Sequence, residues 1–189
     1  MSHPLHSLTL RVAFAFALAG LAGCSSSDSG DGAVACSSLK SNTVATADDD
    51  TCYPDNDGIN DDTYNIEIAV NDDGFTSTGG DNDGGTAKNI ISTQNESQVT
   101  LTLRNDGTKP HGFTVGCVSV CSSYPTLPKG CSPKACFPKG ATIDPIDPGA
   151  SKTVTFSTPT PDNLIYPFSS GAPGDDSVPG LNGGQWSLM

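Results

Sequence analysis

Apolar and polar residues alternate along several stretches of this chain. Tyr64, Ile66, Ile68 and Val70 are interleaved with Asn65, Glu67 and Ala69, and Val99, Leu101 and Leu103 with Thr100, Thr102 and Arg104. Phe113 and Val115 continue the pattern, as do Val154 and Phe156 against Thr153 and Thr155. In an extended backbone successive side chains point to opposite faces, so each run predicts a strand with one buried face. Asp, Asn, Gly and Pro separate the runs, and no window carries a helical stripe. The pattern predicts an all-β protein, an antiparallel sandwich over residues 63–189, closed by a strand at 185–188 with Trp186 in the core. A domain of about 125 residues buries roughly two-thirds of its surface and folds alone.

The front of the chain reads differently. Arg11 precedes an apolar run, residues 12–22, that is too short to span a bilayer as a helix and ends in Leu21-Ala22-Gly23-Cys24. This resembles the lipobox of bacterial lipoproteins, a resemblance that implies a signal peptide over 1–23 and acylation of Cys24, which becomes the mature N-terminus. Ser25 after it implies sorting to the outer membrane, facing the periplasm or the surface. Residues 24–62 are rich in Ser, Asp, Gly and Thr and predict a flexible acidic tether, because so little apolar surface cannot offset the entropy of ordering. The membrane is thus an expected partner through the N-terminal lipid.

Charge narrows the partners further. The chain carries −12; loss of Arg11 with the leader leaves 8 basic against 21 acidic residues, or −13. So acidic a molecule has no electrostatic affinity for nucleic acid, and anionic headgroups repel it. One positive island interrupts the field: Lys129, Lys134 and Lys139 each follow a proline at five-residue spacing, in a segment free of acidic residues. It reads as a solvated loop or as a docking patch for an acidic protein partner, since loops on rigid scaffolds collect binding residues.

Six cysteines remain after Cys24: Cys36, Cys52, Cys117, Cys121, Cys131 and Cys136. An even number in an exported chain predicts disulfides. The expected pairing is Cys36 with Cys52 inside the tether; the other four pair among themselves, with the connectivity left open. Their spacing does not match the paired knuckles of structural zinc. Two Asp-rich turns, Asp55 to Asp61 and Asp81 to Gly84, invite a calcium reading. In the first, however, Tyr53 and Tyr64 occupy the loop positions that require carboxylates. Asp/Asn/Gly turn chemistry accounts for both.

Near the C-terminus the chain reads Tyr166-Pro-Phe168-Ser-Ser170-Gly-Ala-Pro173-Gly174-Asp175, then Pro179-Gly180-Leu181-Asn-Gly183. This resembles the cupredoxin (blue-copper) pattern Y-x-F-x-C-x-x-P-G-H followed by G-M-x-G. Upstream, residues 99–115, through Pro110-His111, and residues 146–156, through Pro148-Gly149, are similar to the family's strand–turn–strand segments, in the family's order. The resemblance implies a Greek-key cupredoxin-like β-sandwich, here with a disulfide-rich loop insertion over 117–140. It puts Ser170 at the thiolate position, Asp175 at an imidazole position and Leu181 at the axial thioether position. A blue-copper site needs two imidazoles and a thiolate. Past the leader, His111 is the only histidine and Met189 the only methionine.

No cofactor is therefore expected, with copper through His111 as the alternative. His111 reads as a structural remnant, its ring hydrogen-bonded beneath the loop. With one histidine and no G-x-S-x-G elbow, the chain is not expected to be an enzyme. The reading is a lipid-anchored envelope protein whose cupredoxin-like domain is a binding or structural module without type 1 copper. The alternatives are a copper carrier or electron-transfer protein, and a calcium-dependent adhesin-like module.

Overall fold

The alternating runs become central strands of two facing sheets in the computed structural model, which describes residues 32–39, 52–53, 62–81 and 85–189. The leader, Cys24, the turn at 55–61, and Asp83 and Gly84 lie outside the described residues. In chain order the strands are β1 (Val34–Ala35), β2 (Thr63–Asn71), β3 (Gly74–Thr78), β4 (Thr86–Lys88), β5 (Ile90–Thr93), β6 (Gln98–Asn105) and β7 (His111–Val115). There follow β8 (Val118–Ser119), β9 (Thr126–Leu127), β10 (Lys134–Ala135), β11 (Ile143–Ile146), β12 (Ser151–Ser157), β13 (Leu164–Ser169) and β14 (Gly184–Leu188). The one α-helix among the described residues, α1, is a single turn at Pro179–Asn182.

One sheet has the order β12-β6-β2-β3-β4 and the other β11-β7-β13-β14-β5. Most neighbours are antiparallel, but β2 runs parallel to β6 and β14 parallel to β5, because the chain crosses between sheets before returning. This is the all-β, two-sheet sandwich that the sequence predicts. Most of the predicted inward positions are core: Ile66, Ile68, Val70, Val99, Leu101, Leu103 and Phe156 of one sheet meet Phe113 and Trp186 of the other, joined by Tyr166 and Phe168. Tyr64, Val115 and Val154 are half-buried. Burying side chains of this size contributes about 1.5–3 kcal/mol each. The Trp186 indole N–H donates to Thr93 Oγ1 at 2.9 Å, so its one polar atom enters the core already partnered.

The insertion departs from expectation. Disulfides join Cys36 to Cys121, Cys52 to Cys131 and Cys117 to Cys136. The pairing of Cys36 with Cys52 is thus wrong, and nearness in sequence was a poor guide. β1 pairs antiparallel with β9 of the insertion, Val34 opposite Leu127, which carries Cys36 to Cys121 across 85 residues of chain. The tether reading also fails for residues 32–39 and 52–53. Cys36, Cys52 and Tyr53 are buried, and the Tyr53 and Tyr124 rings meet edge-on at 5.5 Å. Composition hides this because two cross-links, and not a large apolar surface, fix the segment. Phe137 of the insertion plugs the end of the sandwich, 4.9 Å from the Tyr166 ring and 4.8 Å from that of Trp186.

Replacing Cys36 and Cys121 together by serine is expected to lower stability by about 2–5 kcal/mol. Urea unfolding measures the loss, and the near-ultraviolet dichroism of Trp186 should survive, because the two main sheets do not depend on that bridge.

Candidate functional site

At the end of β7 away from the insertion, three loops converge on one imidazole. His111 opens β7, opposite Ile146 of β11, and is 1% exposed. Its Nδ1 lies 2.8 Å from Asp175 Oδ2 and its Nε2 lies 2.9 Å from Asp72 Oδ1. The ring is clasped between two carboxylates, one from the turn after β2 and one from the loop before α1.

Each partner is delivered by local backbone chemistry. Asn71 Oδ1 accepts the amides of Asp73 and Gly74 at 2.9 and 3.0 Å, an Asx turn that leaves the Asp72 side chain pointing at the histidine. Asp72 also accepts the Thr108 amide at 3.1 Å and the Thr108 hydroxyl at 2.6 Å. Asp175 starts a 3-10 turn just after Gly174, whose φ of 91° lies in the left-handed region that favours glycine. The loop bearing Thr108 is shaped by buried Asn105. Its amide donates to the carbonyls of Lys109 at 2.7 Å and Ile146 at 2.9 Å, while its Oδ1 accepts the Gly107 amide at 2.9 Å. A Cβ on Gly107 would sit 2.8 Å from Asp72 Oδ1 and 2.9 Å from His111 Nε2, so the clasp closes only over glycine.

The three positions that the resemblance assigns to lost ligands are close to His111 but differ in what they do. Ser170 Oγ accepts the Gly112 amide at 3.1 Å and the Ala172 amide at 3.4 Å, and its own amide donates to the Leu181 carbonyl at 2.8 Å. Leu181 is buried and supplies packing alone. Asp175 is buried and, of the three, is the one that touches His111. The expected hydrogen-bonded histidine is present; Asp72 and Thr108 are the partners that the sequence reading missed. The Asn-Asp-Asp-Gly run at 71–74 was a turn signal available in the sequence, but nothing local ties it to residue 111.

Electrostatics follows from counting protons. A carboxylate only accepts, so two of them facing both ring nitrogens require two protons among the three groups. The Asp72 carboxyl is held well below the usual carboxylate range, first by the Thr108 hydroxyl, then by His111 and by the Thr108 amide. Asp72 is therefore ionised and is the acceptor in its contact with Nε2.

These residues do not fit type 1 copper. All six cysteines that could supply a thiolate are in disulfides, Ser170 spends its oxygen on two amides, and Leu181 donates nothing. Both nitrogens of His111 are already engaged, on opposite sides of the ring. Among the described residues no three His, Cys, Asp or Glu side chains converge on a point. Of the lysines singled out by sequence, Lys129 and Lys139 are exposed and Lys134 is half-buried in β10. None of the three pairs with a carboxylate among the described residues.

No family model and no curated protein matches the chain. Among solved structures it is similar to the dithionite-reduced auracyanin of the photosynthetic bacterium Roseiflexus castenholzii. That match has 19% identity and a TM-score of 0.41 and covers 66% of this chain and 96% of that one. It is also similar to auracyanin A of Chloroflexus aurantiacus, described as a blue copper protein, at 15% identity and a TM-score of 0.41, over 68% of this chain and 100% of that one. A copper nitrite reductase of Nitrosomonas europaea matches at 12% identity and a TM-score of 0.38, over 67% of this chain and 41% of that one. At these levels the names assign no activity to this chain.

Two outcomes test the clasp. His111→Ala leaves Asp175 buried without its partner and is expected to cost about 3 kcal/mol, read as a lower urea midpoint. Asp72 supplies a pH signature: its folded carboxyl is more acidic than the unfolded one, so the unfolded chain binds the proton first as pH falls. Its contribution is complete above the unfolded value of about 3.9 and declines below it. The stability gap between wild type and Asp72→Asn should narrow as pH falls below about 4.

Proposed function

We propose that this chain is a lipid-anchored binding or structural module of the bacterial cell envelope, without enzymatic activity. In it an ionic clasp stands where blue-copper proteins hold their metal. The observation that carries the reading is the engagement of both His111 nitrogens by carboxylates. In a copper site those loops are cross-linked by a metal ion bound to imidazole and thiolate. Here Asp72, His111 and Asp175 join the same pole by charge and hydrogen bonds, with Ser170 and Leu181 completing its packing. A metal would have to displace Asp175 from a buried contact to reach Nδ1, or Asp72 from a part-buried one to reach Nε2, and would then meet no thiolate.

The anchor rests on the lipobox-like Leu21-Ala22-Gly23-Cys24 and is part of the proposal. It supports placement in the envelope, on the outer membrane by the serine at position 25. The lysines of the insertion remain a candidate contact for an acidic protein, supported by their freedom from carboxylate partners among the described residues.

Titration of the oxidised protein with cupric ion is expected to leave the region near roughly 600 nm without an intense thiolate-to-copper band. It should also leave the thermal midpoint unchanged at equimolar copper. A stoichiometric blue species would replace this reading with electron transfer or copper carriage. A rise in midpoint with millimolar calcium would favour the adhesin-like alternative.

A further inference from the structure

Residues 36–39 and the insertion enclose a cavity of about 370 Å³ whose lining shares no residue with the clasp. On one side are Cys36, Ser37 and Leu39. They are held there by the bridge from Cys36 to Cys121, by the pairing of β1 with β9, and by the Cys36 amide, which donates to the Pro125 carbonyl at 2.9 Å. On the other side are Ser119 of β8, Pro133, and Lys134 of β10. Ser119 pairs antiparallel with Lys134, and the Val120 amide donates to the Pro133 carbonyl at 3.0 Å. Both walls are thus fixed before anything enters, and a preformed cavity spares a ligand the entropy of ordering its site.

The chemistry of the lining is simple. Leu39, Pro133 and the Cys36–Cys121 bridge supply apolar walls, Lys134 is the one charged residue, and neither Asp nor Glu contributes. Ser132 fixes the backbone of that lysine: its hydroxyl donates to the Lys134 carbonyl and accepts the Lys134 amide, each at 3.1 Å. Lys134 has no carboxylate partner among the described residues. On a chain of formal charge −12 an anion is repelled by most of the surface, and the acid-free segment 127–140 is where it can approach. An apolar hollow with a single unpaired cation fits an apolar body that carries one negative charge.

Two features narrow the class. Peptide amides buried in the hollow would each need a partner. Beyond the lysine the lining side chains supply the hydroxyls of Ser37 and Ser119, and Ser119 already accepts the Cys121 amide at 3.4 Å. A hydrocarbon tail needs no such partner. At ~30 Å³ for each non-hydrogen atom the volume takes roughly twelve of them, the size of a ten-carbon carboxylate. We propose that this cavity is a binding site for a medium-chain fatty carboxylate, with the tail against Leu39, Pro133 and the disulfide and the carboxylate toward Lys134. The site rests on neither the clasp nor the lipid anchor.

The test titrates the oxidised full chain, carrying Cys24→Ser so that no acyl group of its own competes, with carbon-13-labelled decanoate followed by NMR. The expected result is saturable binding of one decanoate below about 1 mM, with decanol at least about tenfold weaker. Acetate, which lacks the tail, and decyltrimethylammonium, which carries the opposite charge, should not bind measurably. Lys134→Gln should weaken decanoate at least about tenfold and leave decanol unchanged, and Lys134→Arg should restore most of the loss. Lys129→Gln, outside the lining, should change neither. Ser119→Leu should fill the hollow and weaken decanoate and decanol alike. Both changes at Lys134 should leave the thermal midpoint where it is, because no carboxylate depends on this lysine. Equal affinity for decanoate and decanol, an affinity that Lys134→Gln does not alter, or no saturable binding would overturn the site. Displacement of decanoate by an equimolar acidic peptide would assign the hollow to a protein contact and overturn the fatty-acid class.

Discussion

A buried imidazole must have both of its nitrogens satisfied, and most of the clasp pole of this protein is arranged around that demand. His111 is fixed at the start of β7 by the sheet, so its partners have to be brought to it. The Asx turn after β2 brings Asp72, the loop built by Asn105 brings Thr108 to hold Asp72, and the Pro-Gly turn before the 3-10 segment brings Asp175. Remove the imidazole and the buried Asp175 carboxyl loses its partner while the more exposed Asp72 is left to solvent, and a buried polar group without a partner is costly. The three loops are thus coupled through one ring rather than through a hydrophobic contact.

Coupling through charge has different properties from coupling through a metal. A metal cross-link needs deprotonated ligands and releases protons on binding. The clasp closes through hydrogen bonds between side chains of the protein itself and does not depend on the supply of an ion. Ser170 and Leu181 fit this account. Serine keeps a small polar atom that can accept the two amides at the loop's bend, and leucine fills the space beneath α1 without presenting a polar group that would need a partner. Gly180 is required for the same close approach, since a Cβ there would lie 1.9 Å from the Asp73 carbonyl oxygen.

The opposite pole is held by covalent bonds. Two disulfides draw a polar N-terminal segment onto the insertion, and a third closes the insertion upon itself. Phe137 then enters the core among Tyr166, Phe156 and Trp186. A segment with so few apolar residues does not order itself by burial, so cross-links do for this pole what ion pairing does for the other.

Strands whose alternation is strong were legible from the chain alone: β2, β6, β7, β12 and β14, with most of their inward residues named in advance, whereas β13 was read only as part of a loop. The histidine beneath the loop and the chemistry missing from positions 170, 175 and 181 were legible too. Strands β3, β4 and β5 were not, because they are short, interrupted by Asp and Gly, and take their register from neighbours. Side-chain period is a local property, so a sequence can specify which face of a strand is apolar. Which cysteine meets which, that Asp72 reaches a histidine 39 residues away, and that Leu39 and Lys134 line one cavity depend on how distant segments pack. Those were decided by tertiary structure, since no local pattern encodes a contact between residues whose proximity exists only once two sheets have closed on each other.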